Sequence, residues 1–187
     1  MQRNANRLGE APNRTPGPGI SSGAQRERLR RRYRPRRVRV LLVGEAPPAS
    51  GRFFYRADSG LYRAIRRPFV ALFPSRPGRS FLESFRDHGC FLVDLCGRPV
   101  DRLPPALRRK ARREGEAGLA RALRALRPSA VVVVVKSVGA SVRRSARRAD
   151  WSGTLVELPY PGRWKRNREN FDRGFRAVLR RVVASRG

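Results

Sequence analysis

Residues 130–135 read AVVVVV, an unbroken apolar, mostly β-branched run that is far too short to cross a bilayer and suits a strand buried on both faces. Similar runs recur at residues 38–43 (VRVLLV), 90–95 (CFLVDL) and 154–158 (TLVEL). Between them the apolar spacing becomes helical. Leu61, Ile65 and Phe69 share one face of residues 59–72, and a short helix is expected over 79–88, after Pro74 and Pro77. Leu119, Leu123 and Leu126 mark a long surface helix over 105–126, ended by Pro128. Helices over 137–149 and 166–183 follow, the last carrying Phe171, Phe175, Val178, Leu179 and Val182. Strands alternating with helices predict an α/β fold, a three-layer α/β/α sandwich with a central four-stranded parallel sheet.

The charge balance bounds the partner. The chain of 187 residues carries a formal net charge of +30, almost all of it arginine, since Lys110, Lys136 and Lys165 are the only lysines. Such a field repels itself unless polyanions lie near, so nucleic acid, double- or single-stranded DNA in the first place, is the expected partner. An anionic membrane surface ranks second. It lacks support, because there is neither a lipidation motif nor a long basic amphipathic helix with a clean apolar face. Eleven arginines against Glu10 and Glu27 fall within residues 1–37, which show no hydrophobic periodicity. That segment reads as a disordered Arg/Gly/Pro-rich basic arm with room for a short helix over 25–33. Residues 38–187 read as the folded domain, itself strongly basic. Cys90 and Cys96 match no metal-ligand spacing and read as buried reduced thiols, so neither a metal nor another cofactor is expected. With no secretion-signal pattern, the expectation is a cytoplasmic, nucleoid-associated monomer.

In open parallel sheets ligands bind outside the carboxyl ends of the strands. Here those ends bring Gly44-Glu45-Ala46-Pro47, then Asp94 with Arg98 and Pro99, then Lys136 and Ser137, then Pro159-Tyr160-Pro161-Gly162. A carboxylate beside the aromatic cluster Phe53-Phe54-Tyr55 suits a flat polar heterocycle such as a nucleobase.

The same segments carry a resemblance. The chain resembles the uracil-DNA glycosylase superfamily over roughly residues 38–183. A strand, GEAP and then GRFF resembles the first motif of the iron–sulfur branch, whose pattern runs GEAPG then GRPF. FLVDLCGRP resembles the second strand with its downstream Arg-Pro. The valine run after a helix and proline resembles the third strand. LPYPGRWKR resembles the closing motif, usually LP-[HN]-P-S before a loop that enters DNA. The cysteines of the iron–sulfur branch are missing, so no iron–sulfur cluster is implied.

The resemblance implies a DNA N-glycosylase of base-excision repair, a hydrolase that flips a deaminated or damaged base and cleaves its N-glycosidic bond. A nucleic-acid-binding or lesion-sensing protein without catalysis is the alternative on the same fold. Glu45 and Tyr160 fall at the catalytic positions, Glu45 to handle water and Tyr160 to donate to the departing base. Tyr160 stands where the family has His or Asn, and Ala46 where several branches carry a water-activating Asp or Asn. Gly44, Ala46, Pro47, Phe54 and Asp94 fall at base-binding positions. Arg52, Arg98, Lys136, Ser137, Pro161, Gly162, Arg163 and Trp164 fall where DNA is contacted, with Trp164 placed as the wedge. Each has a structural alternative: a loop-fixing Glu45, a core Phe54, a strand-end Asp94, a helix-anchoring Trp164. Asp94 replaces the frequent Asn. An amide accepts and donates, whereas an ionised carboxylate only accepts, so Asp94 favours a base edge that presents donors or needs a proton to read uracil.

Overall fold

The computed structural model describes residues 23–74 and 76–184. Its strands are β1 (Val40–Gly44), β2 (Cys90–Asp94), β3 (Ala130–Val133) and β4 (Thr154–Glu157). They form one all-parallel sheet in the order β2-β1-β3-β4. The inner pair is apolar on both faces: every residue of β1 and β3 is buried. The outer strands are partly open, and β4 is half-buried along its length. The molecule is thus an α/β fold of three layers, as the alternating pattern predicts.

The connecting helices divide by face. Helix α2 (Gly60–Val70) starts at Ser59, whose side-chain oxygen accepts from the Tyr62 amide at 3.1 Å. Helix α3 (Phe81–Asp87) opens with a reciprocal capping box between Ser80 and Glu83, which satisfies two otherwise orphaned amides. Helix α6 (Lys165–Leu179) packs beside α2. Helix α4 (Pro105–Leu126), with proline at its first position, packs along α5 (Gly139–Arg148). The α4–α5 seam holds a buried Glu116 that accepts from Arg144 at 2.6 and 3.0 Å. Gly115 of α4 lies directly on the Leu95 carbonyl, where a Cβ would not fit. That close approach seats α4 over the loop leaving β2.

One expectation changes. The boundary at residue 37 falls inside the folded unit, because α1 (Gly23–Arg32) docks on it. Leu29 and Tyr33 pack on the core, and the Tyr33 ring stacks on Tyr55 with centroids 5.8 Å apart. The expected arm over residues 1–22 lies outside the described residues. At the other end, the last helix continues through a π-helical turn, Arg180–Ala184. Cys90 and Cys96 are both buried and free. Burial pushes the Cys96 thiol up to about 11. His88 packs against Phe73 and Phe69, and its Nδ1 lies 2.7 Å from the Ser84 carbonyl. Among the described residues no helix is long and apolar enough to cross a membrane.

Candidate functional site

A cavity of about 550 Å³ opens at the carboxyl edge of the sheet, where the β1 connection leaves in one direction and the β3 connection in the other. Its walls come from remote parts of the chain. Gly44, Glu45, Ala46, Pro47 and Pro48 leave β1, and Asp94 ends β2. Arg52, Phe53 and Phe54 follow in the next loop, with Leu61 on α2. Arg108 reaches in from α4, Val135 follows β3, and Tyr160 follows β4. Glu45, Phe54, Asp94 and Tyr160, singled out separately in the sequence, therefore face one space. Of the other sequence-derived residues, Gly44, Ala46, Pro47 and Arg52 share this lining, and the rest lie outside it. Arg98, Lys136, Ser137, Arg163 and Trp164 are exposed on adjoining loops, and Pro161 and Gly162 continue the turn that carries Tyr160.

Parallel register brings the end of β2 beside the end of β1. Gly44 pairs with Asp94, and a Cβ at Gly44 would lie 2.8 Å from Asp94 Oδ1. Glycine at this strand end lets the carboxylate turn across β1. Asp94 Oδ2 accepts from Arg30 Nη2 at 3.2 Å, across 64 residues of sequence. Arg30 also lies over the Phe53 ring, 5.7 Å from its centroid. Burial raises the Asp94 carboxyl above its ordinary value, and the charges of Arg30 and Arg26 oppose that rise only in part.

Glu45 has the opposite balance. Its carboxylate, 8% exposed, accepts from Arg108 Nε at 2.7 Å and Arg112 Nε at 2.6 Å, and Arg108 Nη2 closes a second contact to Oε2. Burial alone would raise this carboxyl. The hydrogen bonds and charges of the two guanidiniums outweigh it and hold Glu45 below the usual value. Arg112 also donates to the Ser137 carbonyl at 3.3 Å, tying the turn after β3 to the same clamp. A free general base on Glu45 is therefore not what the geometry presents. The side chain is an ionised acceptor with both oxygens engaged.

Phe54 is a wall more than a platform. It is 3% exposed and wedged among Tyr55, Tyr62, Phe81 and Phe85, with centroids 5.0–6.3 Å away. Tyr55 anchors the group: its hydroxyl donates to the Leu92 carbonyl at 2.9 Å and accepts from the Leu92 amide at 2.8 Å. Tyr160, by contrast, is 46% exposed and Trp164 is 69% exposed. Arg168 of α6 donates to the Gly162 carbonyl at 3.2 Å and also to that of Arg163, which fixes the loop presenting both aromatics.

Arg30, Arg108 and Arg112 were not among the sequence-derived site residues. In a chain so rich in arginine, no charge pattern separates a clamp from a solvated face. The one usable signal is the spacing of Arg108 and Arg112, four residues apart and hence on one side of α4. Among the described residues no group of three or more His, Cys, Asp or Glu could hold a metal ion. No protein-family model matches the chain, and a search of curated proteins finds no match.

Proposed function

We propose that this protein binds DNA and receives an extruded, deaminated or damaged base in the cavity at the carboxyl edge of the sheet, where its N-glycosidic bond is hydrolysed. The observation that carries the reading is the meeting of Glu45, Phe54, Asp94 and Tyr160 around one space of about 550 Å³. An enzyme acting on a base must take it out of the stack, and it offsets the unpairing cost by enclosing the base between apolar walls and polar edge-readers. Phe54 and the Pro47–Pro48 turn supply flat apolar walls, and Asp94 supplies an acceptor at the far end. Tyr160 supplies a hydroxyl to the base that departs with negative charge. A preorganised donor of that kind lowers a barrier by roughly 3 kcal/mol in comparable sites. Glu45 orients water from a fixed, ionised carboxylate. Arg52 lines the same cavity and offers a guanidinium to phosphate, and Trp164 projects from the neighbouring loop as a wedge for the vacated stack.

One observation favours a second reading. Both Glu45 oxygens are held by arginines, and Ala46 offers no further acid. A protein so built binds an extruded base without cleaving it and acts as a lesion sensor. Oligonucleotides carrying uracil, hypoxanthine or xanthine, single- and double-stranded, separate the two at enzyme excess. Excision yields alkali-labile sites that Glu45→Gln abolishes. Tighter binding to a lesion than to undamaged DNA, without any such site, leaves the sensor. Equal affinity for all these oligonucleotides, with no cleavage, overturns both.

A further inference from the structure

At the opposite, amino-terminal edge of the sheet lies a second concavity, about 520 Å³ in volume. Six guanidiniums border it: Arg32 from the end of α1, Arg34, Arg36, Arg37 and Arg39 from the segment entering β1, and Arg86 from α3. The one carboxylate on its rim is Asp87, already shared by Arg86 at 2.9 Å and Arg79 at 3.3 Å. The backbone is built to hold this arrangement. Arg39 and Val40 both donate to the Gly89 carbonyl, at 2.7 and 3.2 Å. Gly89 has φ +76°, and a Cβ there would lie 2.9 Å from Arg39 Cγ and 3.0 Å from the Arg37 carbonyl. Glycine thus lets the arginine-bearing segment lie flat against the start of β2.

We propose that this groove is a second nucleic-acid site, taking the phosphodiester backbone of a separate segment, so that one molecule bridges two duplexes. The charge is spread along a contour contributed by three chain segments rather than focused on one point. A run of phosphodiesters neutralises such a contour, whereas a single inorganic phosphate does not. Strands of four or five residues separate the groove from the carboxyl-edge cavity by about 13–16 Å at about 3.3 Å per residue, with the sheet between them. Cavity and groove open at opposite edges of the sheet, so a duplex lying across the mouth of one does not cover the other. The proposal shares DNA as partner with the function proposed above but does not depend on the base cavity.

The test uses the full chain, a bead-tethered duplex and a free fluorescent duplex. Arg34, Arg36 and Arg37 are exposed, so replacing all three by serine leaves the core alone. A control with equal charge loss replaces the exposed Arg113, Arg121 and Arg147. The groove variant is expected to bind a single duplex, while its capture of the second falls about tenfold or more. For that second step the slope of log affinity against log salt drops by about 2.7, or 0.9 for each lost contact. Bridging by the groove variant at the parental level overturns the proposal. So does an equal loss in the control, which would make bridging a matter of bulk charge, or a parental protein that never captures the second duplex. Bridging without lesion recognition sinks the base-cavity reading alone, and no binding to DNA at all sinks both.

Discussion

Glu45 and Asp94 stand on adjacent strand ends, yet their carboxyl groups shift in opposite directions. Glu45 lies below its ordinary 4.5, so the clamp stabilises the fold fully above that value, and the contribution fades as pH falls through the lowered one. Glu45→Gln is therefore expected to cost about 2 kcal/mol near neutral pH, discounted for the partly exposed Arg108, with the deficit vanishing in acid. Urea titrations at a series of pH values read this directly. Asp94 lies above its ordinary 3.8. Its stabilising contribution is complete below that value and is lost as pH rises through the raised one. The protonated form, which can donate to a carbonyl, thus persists to higher pH than in a free side chain. Binding of a uracil-bearing oligonucleotide is expected to weaken as pH rises through that transition, and Asp94→Asn to remove the dependence. Fluorescence anisotropy across the range checks it, and a flat parental profile would take Asp94 out of base reading.

At the scale of elements, the short helix ahead of the sheet matters most. Helix α1 brings Arg30 to Asp94 and Tyr33 to Tyr55. A stacked aromatic pair contributes about 1 kcal/mol beyond its buried area. Truncation to Val38 is expected to cost about 2 kcal/mol and lower the melting midpoint by about 4–8 °C. Calorimetry tests it, and an unchanged midpoint would show that α1 only rests on the surface. This docking was not legible in the sequence for a physical reason. Leu29 is the only large apolar residue of a helix of arginines and Tyr33 lies just past its end, too few to give a periodic stripe, and what holds them is a tertiary contact. The strands were legible because uninterrupted β-branched runs have few alternatives, as β3 illustrates. Helix α4 was legible to its ends because Pro105 starts it and Pro128 follows it. Its role as carrier of Arg108 and Arg112 was hidden, since their partner lies 63 and 67 residues away.

For the molecule as a whole, the sheet order and the net charge of +30 combine. A parallel sheet collects the turns that follow its strands at one edge, so Glu45, Asp94 and Tyr160 meet there. Charge needs no such convergence and covers both edges. DNA affinity is expected to fall by orders of magnitude between low and moderate salt, since each neutralised phosphate adds about 0.9 to the slope of log affinity against log salt. Filter binding over a salt series measures it, and a flat response would remove nucleic acid from the account. The link between Arg30 and Asp94 has a broader consequence. The guanidinium that steadies an acceptor in the cavity belongs to a segment joined to the sheet by only a few residues beyond Tyr33. A protease cutting in that joint, or a competing anion prising the segment away, would do more than shorten the chain. It would strip the Asp94 carboxylate of its guanidinium and so change the charge that lines the cavity.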